Sequence, residues 1–340
     1  MRRLILLLIL LFPVHAHAEL PPLTAAQKQL LDQAPTDPPA KELLGIKGFE
    51  GRHYLAGDEY NSHLWYPHIK DLGGAYVGVG SDQAYLFIGW ARPEIAWLVD
   101  YDPWVVDLHA VYRAFFLSAE TPETFLKYWT DANPTAALDR LEHFYADSPK
   151  LPMYKQLFRG HRGNIGVRLR YVVKEMKQSK TPSYVTDPET YAYVRKLVET
   201  GRLHPQVTNL LGEKGLTGIA ATANQLGLKV RLVYLSNAEQ YWPYGEQFRK
   251  NLRSLPMDEK SQIIRTLSTF TINKDYRYNI QPGLLYQDWL AQPWCTRVHG
   301  MIPRRKLKDE KDIEFLVFDK KCADFAPKNR KNSQPAARQK

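Results

Sequence analysis

The sequence predicts an α/β fold built on a mostly parallel sheet, and three features of the chain predict it. A short β-branched run at 75–80 ends in glycines and is followed by a helical pattern at 82–91. The run IAWLV at 95–99 is apolar throughout, as expected of a strand that is buried on both faces. Strand and helix patterns then alternate along much of the chain, which is typical of a parallel, Rossmann-like sheet.

The individual elements follow from apolar periodicity and from the residues that end helices, such as Pro93 and the C-cap glycine Gly227. Helices are predicted at 25–33, 82–91, 105–117, 188–200, 214–226 and 239–252. Strands are predicted at 75–80, 95–99, 204–209, 229–235, 263–272 and 313–318. Residues 119–180 are helical in pattern, aromatic and charged, so we expect them to form a helical insertion over the sheet.

The start of the chain has the three parts of a cleavable secretory signal. Two arginines, an apolar run at 4–14 and small side chains at Ala16 and Ala18 precede Glu19. The apolar run is too short for a transmembrane anchor, which takes about 20 residues. No later stretch of the sequence is apolar enough to span a membrane. We therefore expect an exported protein, periplasmic or secreted, without a transmembrane segment after cleavage.

The expected organisation is a signal peptide at 1–18, a lead-in at 19–70, the α/β domain at 71–322 and a basic, disordered tail at 323–340. The chain carries a net charge of +10. Much of this charge is terminal, since residues 320–340 hold seven basic side chains and one acidic one. Because charge in a polar terminus is typical of a solvated end, we expect no nucleic-acid partner.

The sequence contains two cysteines, Cys295 and Cys322. An even count in an exported protein favours pairing, so a disulfide between them is expected. Two cysteines are too few for a zinc cluster, and His53, His63 and His68 lack the spacing of standard metal-binding motifs. We predict no metal site.

A small-molecule ligand is expected at the carboxyl ends of the strands, because parallel sheets bind ligands there, where the strand order reverses. Glycines at such ends allow a ligand to approach the backbone closely. The glycine and polar residues that follow the predicted strands are Gly78, Gly80, Ser81, Asp82, Gln83, Asp100, Asp102, Asn209, Ser236, Asn237 and Glu239.

The chemistry of this turn indicates what kind of ligand it would take. Asp100 lies 20 residues after Gly80, the spacing of the acid that binds ribose hydroxyls in nucleotide folds. Asp82 would compete with a phosphate for the N-terminus of the following helix. A ligand with a ribose but no phosphate therefore fits better than a dinucleotide. The alternative is that Ser81, Asp82 and Asp102 act only as helix caps.

The turn GVGSDQ, the VD after the second strand and the segment YLSNAEQY after the fourth resemble an uncharacterised family of exported bacterial proteins with a methyltransferase-like Rossmann core. The resemblance covers roughly residues 70–118 and 183–250. More broadly, the chain is similar to class I S-adenosylmethionine-dependent methyltransferases. That likeness implies the glycine motif at Gly78 and Gly80, a ribose-binding role for Asp100 and an adenine contact at Asn209.

The sequence departs from the methyltransferase pattern at two positions. Tyr76 stands where those enzymes have an acid, and Ser236-Asn237-Ala238-Glu239 stands where an Asn-Pro-Pro-Tyr-like motif is found in the amino methyltransferases. The catalytic residues are therefore not identified, and two functions remain open. One is binding of a ribose-containing molecule such as S-adenosylmethionine, with or without methyl transfer. The alternative is a non-catalytic exported binding or envelope protein with a degenerate donor site.

Overall fold

The computed structural model describes residues 20–39, 52–268, 275–302 and 313–325. The predicted signal at 1–18 lies outside these ranges, as does most of the predicted tail. In the described part, seven strands form one sheet in the order β3-β2-β1-β4-β5-β6-β7. The strands are β1 (Ala75–Val79), β2 (Ile95–Asp100), β3 (Leu203–Val207), β4 (Val230–Tyr234), β5 (Gln262–Ser268), β6 (Tyr276–Pro282) and β7 (Phe315–Val317).

Helices surround the sheet. They are α1 (Ala25–Asp32), α2 (Tyr66–Ile69), α3 (Asp82–Ala91), α4 (Pro103–Ser118), α5 (Pro122–Thr130), α6 (Thr135–Tyr145), α7 (Leu151–Ser179), α8 (Pro188–Glu199), α9 (Gly215–Gln225), α10 (Glu246–Ser254), α11 (Gly283–Ala291) and α12 (Val298–Met301). Short 3-10 turns lie at Ser62–Trp65, Ala238–Gln240 and Cys322–Phe325. None of the described helices is both long enough and apolar enough to cross a membrane.

The sheet confirms the predicted fold class. β1 pairs in parallel with β2 and β4, β2 pairs in parallel with β3, and β4 pairs in parallel with β5. β6 is antiparallel to β5. The chain leaves β1 toward β2 and β3 on one side and later returns to place β4 on the other side. The strand order therefore reverses between β1 and β4, which is where ligands bind in sheets of this kind.

Two apolar layers sandwich the sheet, because successive strand residues face opposite sides. Tyr76 and Leu98 face the layer formed with α3, α4, α8 and the helical insertion. Val77 and Trp97 face the layer formed with α9, α10 and α11. The insertion at 119–180 comprises α5, α6 and α7, and α7 lies against α4 and α5.

Three sequence predictions need correction. The helix predicted at 239–252 begins only at Glu246, because Pro243 cannot donate a helical hydrogen bond and the Tyr244 N–H donates instead to Thr296 O (2.7 Å). β6 was missed, and part of the strand predicted at 263–272 lies outside the described residues.

The third correction concerns the cysteines. Cys295 and Cys322 are free thiols, so the expected disulfide is not formed. Cys295 is buried in the apolar layer, and burial raises the pKa of its thiol to about 11. The group is therefore a protonated apolar side chain at neutral pH.

Candidate functional site

The turn after β1 is shaped by the protein's own side chains. A Cβ atom added to Gly78 would lie 1.9 Å from the hydroxyl of Tyr76, so that glycine makes room for the tyrosine ring. Gly80 has a φ of +86°, which favours glycine. Its N–H donates to Asp100 Oδ2 (3.2 Å), and its carbonyl oxygen lies 3.2 Å from His109 Nε2. Packing and backbone conformation thus explain why glycine occupies both positions, without a ligand.

His109 is neutral and fixed in one tautomer behind this turn. Burial lowers its pKa to about 4. Because the carbonyl oxygen of Gly80 can only accept, Nε2 carries the proton, and Nδ1 accepts from the hydroxyl of Tyr85 (2.8 Å). The ring therefore supports the turn from the side of α4.

Asp100 is the last residue of β2 and Asp102 follows it, and both tie neighbouring loops together. Asp100 Oδ1 accepts from the Asp102 N–H (3.0 Å), while its other oxygen accepts from Gly80. Burial raises the pKa of Asp100 to about 7. Asp102 caps α4, since its Oδ1 accepts from the Trp104 N–H (2.9 Å). Its Oδ2 lies 2.8 Å from His53 Nδ1. The carboxylate predicted to hold a ribose thus already accepts two backbone N–H groups.

Asp82 and Gln83 begin α3, and both are buried. Asp82 Oδ1 accepts from the Gly57 N–H (2.5 Å), and the neighbouring hydroxyl of Ser81 is 3.4 Å from the same oxygen. Asp82 Oδ2 accepts from Arg168 Nε on α7 (3.0 Å). This ion pair is almost completely removed from solvent, with side-chain exposures of 0% for the acid and 4% for the base.

A residue that the sequence did not single out, Glu59, occupies the space between β1 and β4. Its Oε1 accepts from the hydroxyls of Tyr234 and Ser236, the latter at 3.1 Å. Its Oε2 accepts from Gln83 Nε2 (3.4 Å). Burial, followed by the charge of Asp58, raises the pKa of Glu59 to about 7. The polar groups at the strand-order reversal therefore bind a side chain of the same protein.

Glu59 belongs to a segment that crosses the carboxyl ends of the central strands, which we call the strap: described residues 37–39 and 52–61. Asp37 lies at the end of β3, where its carboxylate accepts from the N–H groups of Asn209 and Lys214 (both 3.0 Å). The strap then contacts the ends of β2 through His53, of β1 through Gly57 and of β4 through Glu59. It crosses these four ends in the order in which they lie in the sheet.

Glycines near β3 also accommodate the strap. A Cβ atom at Gly212 or at Gly215 would lie 2.5 Å from the carboxyl group of Asp37. The loop before α9 therefore closes around an internal carboxylate, at the helix N-terminus where an anionic ligand would otherwise be favoured.

The long helix α7 holds the strap from the outside. Arg168 Nη1 donates to the carbonyl oxygen of Glu59 (2.6 Å), and the hydroxyl of Tyr171 donates to the carbonyl oxygen of Tyr60 (3.1 Å). One turn further along, Glu175 Oε1 accepts from the N–H of His63 (3.1 Å), just beyond the strap. The strap is thus held between the edge of the sheet and the helical insertion.

The remaining predicted site residues lie apart from the glycine turn. Asn209 caps its own loop, because its Oδ1 accepts from the Leu211 N–H (2.9 Å), and Asn237 Nδ2 donates to the hydroxyl of Tyr241 (3.2 Å). Glu239 lies in a separate buried cluster with Arg265 (3.1 Å) and the hydroxyl groups of Tyr244 (2.5 Å) and Tyr286 (2.8 Å). The structure therefore places Glu239 apart from the strap. It brings near the strap Gly80, Ser81, Asp82, Gln83, Asp100, Asp102, Asn209 and Ser236.

Sequence reasoning missed the residues that fill the edge: Asp37, His53, Glu59 and Arg168. They lie in the lead-in and in the insertion, far along the chain from the strands they contact. One signal was present. Carboxylates that are buried after a glycine turn need hydrogen-bond donors, and other parts of the chain have to supply them. No metal-holding group of three or more suitable side chains occurs among the described residues.

Comparison with known proteins places the chain in a family. No curated protein matches it. A family model described as a domain of unknown function, DUF7790, matches residues 54–318. The match begins within the strap and extends through the last strand, so it covers the sheet, the insertion and most of the strap. The chain therefore belongs to the DUF7790 family.

Proposed function

We propose that this chain is an exported, non-catalytic binding protein in which the donor site of a Rossmann-like fold has degenerated. The observation that carries the proposal is the position of Glu59, whose carboxyl group accepts hydrogen bonds from Tyr234, Ser236 and Gln83 at the point where the strand order reverses. In a sheet of this topology a nucleotide-like ligand occupies that point.

Entry of a ribose-containing ligand would break several buried contacts at once. The strap would have to leave, which takes the Gly57 N–H away from the buried carboxylate of Asp82 and the carbonyl oxygen of Glu59 away from Arg168. A hydrogen bond to a charged group contributes about 1.5–3 kcal/mol to stability. A ligand would have to recover that free energy before any net binding appeared.

The second candidate is a methyltransferase-like protein that binds a ribose-containing ligand, with S-adenosylmethionine as its donor. One observation favours it: Gly80 and Asp100 are in contact beside the strand-order reversal, at the predicted spacing. In this candidate the strap moves aside to admit the ligand. Gly78, Ser81, Asp82, Gln83, Asp102, Asn209, Ser236, Asn237 and Glu239 complete the expected ligand-binding set.

Titration calorimetry with S-adenosylmethionine and S-adenosylhomocysteine separates the two candidates. We expect no heat of binding from either compound with the folded mature protein. Heat of binding that disappears in Asp100→Ala, but persists in the matched control Asp71→Ala at an exposed acid, would replace our proposal with the second candidate.

Export is tested separately. It rests on the sequence of residues 1–18, which lie outside the described structure. N-terminal sequencing of the protein from an exported fraction should give a chain that begins at Glu19. Recovery of only the full-length chain from the cell would contradict export.

A further inference from the structure

A hollow of about 160 Å³ lies between the strap and α7. The strap lines it with His53, Tyr54 and Leu55, and α7 lines it with His161, Asn164 and Ile165. An apolar cavity of about 150 Å³ is large enough to hold a benzene ring. This hollow is open to solvent on one side, so it accommodates one six-membered ring with substituents that project outward.

His53 is held rigidly at one wall of the hollow. Its Nδ1 lies 2.8 Å from Asp102 Oδ2, and its ring stacks on Trp104 with a centroid separation of 4.0 Å and an interplanar angle of 5°. Because a carboxylate only accepts, the Nδ1–H donates to Asp102, which leaves Nε2 as the second hydrogen-bonding group of the ring. The described residues provide no hydrogen-bond partner for Nε2.

The opposite wall is polar but carries no permanent positive charge. Burial lowers the pKa of His161, which favours the neutral form of this ring. Asn164 adds an amide that can both donate and accept. Among the described residues no lysine or arginine lines the hollow. These groups match a neutral ligand with several hydroxyl groups better than they match an anion.

Exposed tyrosines concentrate around this edge of the molecule. Tyr54, Tyr60, Tyr101 and Tyr241 are the exposed tyrosines of the described residues, with Tyr54 at 50% the most exposed. Two lie on the strap, and the other two follow β2 and β4. Exposed aromatic groups gathered at one place mark an interaction surface.

We propose that this hollow binds a saccharide ring. The C–H face of the sugar stacks on Tyr54, and its hydroxyl groups bond to His53 Nε2, His161 and the amide of Asn164. This inference names a ligand for the proposed binding role and rests on that role. The hollow lies beside the crevice between β1 and β4 that Glu59 closes, so the saccharide site does not depend on what that crevice binds.

Calorimetry with the mature protein and defined oligosaccharides tests the inference. The probes are maltotetraose, cellotetraose and chitotetraose, with inorganic phosphate and acetate as anionic probes. We expect at least one tetrasaccharide to bind and both anions to give no heat. Tyr54→Ala and Asn164→Ala should each weaken sugar binding by at least tenfold. Leu284→Ala is the control, because Leu284 is an exposed apolar side chain on α11 that does not line the hollow.

Three outcomes would overturn the inference: no saccharide binding by the folded protein at millimolar concentration, binding of the anions alone, or saccharide binding that Tyr54→Ala leaves unchanged. Failure here is distinguishable from failure of the proposed function. If S-adenosylmethionine gives a heat of binding and Asp100→Ala removes it, the proposal that the crevice is closed is contradicted. The result of the saccharide titrations would still stand.

Discussion

At the scale of single residues, the features that predicted a ligand have partners inside the protein. Gly78 makes room for the ring of Tyr76, and the N–H of Gly80 donates to Asp100. Tyr76 stands where a methyltransferase-like chain carries an acid, and its buried hydroxyl has no hydrogen-bond partner among the described residues. This ring is therefore a packing group, and the glycine beside it serves the same packing.

Replacing Gly78 by alanine tests that explanation. The new methyl group would meet the Tyr76 ring, so Gly78→Ala should lower the free energy of unfolding by about 1–3 kcal/mol. In a Tyr76→Val background the ring is absent, and the same change should have little effect. Urea denaturation measures both. Gly163→Ala, in open space on α7, is the control and should be neutral or stabilising. Equal destabilisation in both backgrounds would contradict the packing role.

The raised pKa of Glu59 predicts how stability depends on pH. The ordinary value of 4.5 applies to the unfolded chain, and the folded value is about 7. Between these two values the folded protein binds more protons than the unfolded chain, so stability falls as the pH rises from about 4.5 to 7. Asp100, with a pKa also raised to about 7, acts in the same direction.

Glu59→Gln should therefore flatten part of this dependence, because the amide keeps the acceptor oxygen and carries no titrating proton. The free energy of unfolding of the variant, minus that of the native protein, should rise by on the order of 2 kcal/mol from pH 5 to pH 8. Urea denaturation at both pH values checks this, with Glu120→Gln at an exposed position as the control. Parallel pH profiles for Glu59→Gln and the native protein would show that Glu59 is not buried against the strand ends.

At the scale of elements, the strap and α7 act as a pair. Arg168 donates to both the strap backbone and Asp82, and Tyr171 adds a second contact to the strap. The two helical turns that carry these residues thus hold the strap against the edge of the sheet.

Arg168→Ala should release the strap and leave Asp82 buried without its cation. We expect a loss of about 3–5 kcal/mol in the free energy of unfolding, together with faster chymotrypsin cleavage after Tyr54 and Tyr60. Tyr171→Phe, which removes one hydrogen bond and leaves no buried charge, should show a smaller increase in cleavage.

Arg170→Ala is the matched control, because Arg170 is an exposed arginine on the same helix. Cleavage rates measured under native conditions should rank Arg168→Ala above Tyr171→Phe, and Tyr171→Phe above the control. Identical rates for Arg168→Ala and Arg170→Ala would contradict the role of α7 in holding the strap.

The elements show how far the sequence predicts this fold. α3 has the predicted bounds of 82–91, because the glycine turn before it and the residues Arg92-Pro93 after it are local signals. The helix predicted from 239 begins late because Pro243 and a long-range bond to Thr296 override the pattern. The strap was not recognised as part of the site because it has no periodicity of its own. Its role arises from contacts with residues far along the chain: Gly57 contacts Asp82, which is 25 residues later, and Glu59 contacts Ser236, which is 177 residues later.

At the scale of the whole molecule, the sheet topology explains why the strap lies where it does. The strand-order reversal creates a polar crevice between β1 and β4. Buried polar groups in such a crevice must be hydrogen-bonded by a ligand, by water or by protein. Here the strap supplies the partners. Its contacts follow one another along the chain in the same order as the strands lie in the sheet. The central claim is that the protein closes its own crevice.

Hydrogen–deuterium exchange of residues 52–61 in the native protein tests this claim most directly. The Gly57 N–H donates to buried Asp82, and the Asn61 N–H donates to the hydroxyl of Tyr278 (2.8 Å), so both amides should exchange slowly. Excess S-adenosylmethionine should leave their rates unchanged. Rapid exchange of this segment in the native protein, or its release when S-adenosylmethionine is added, would contradict the account.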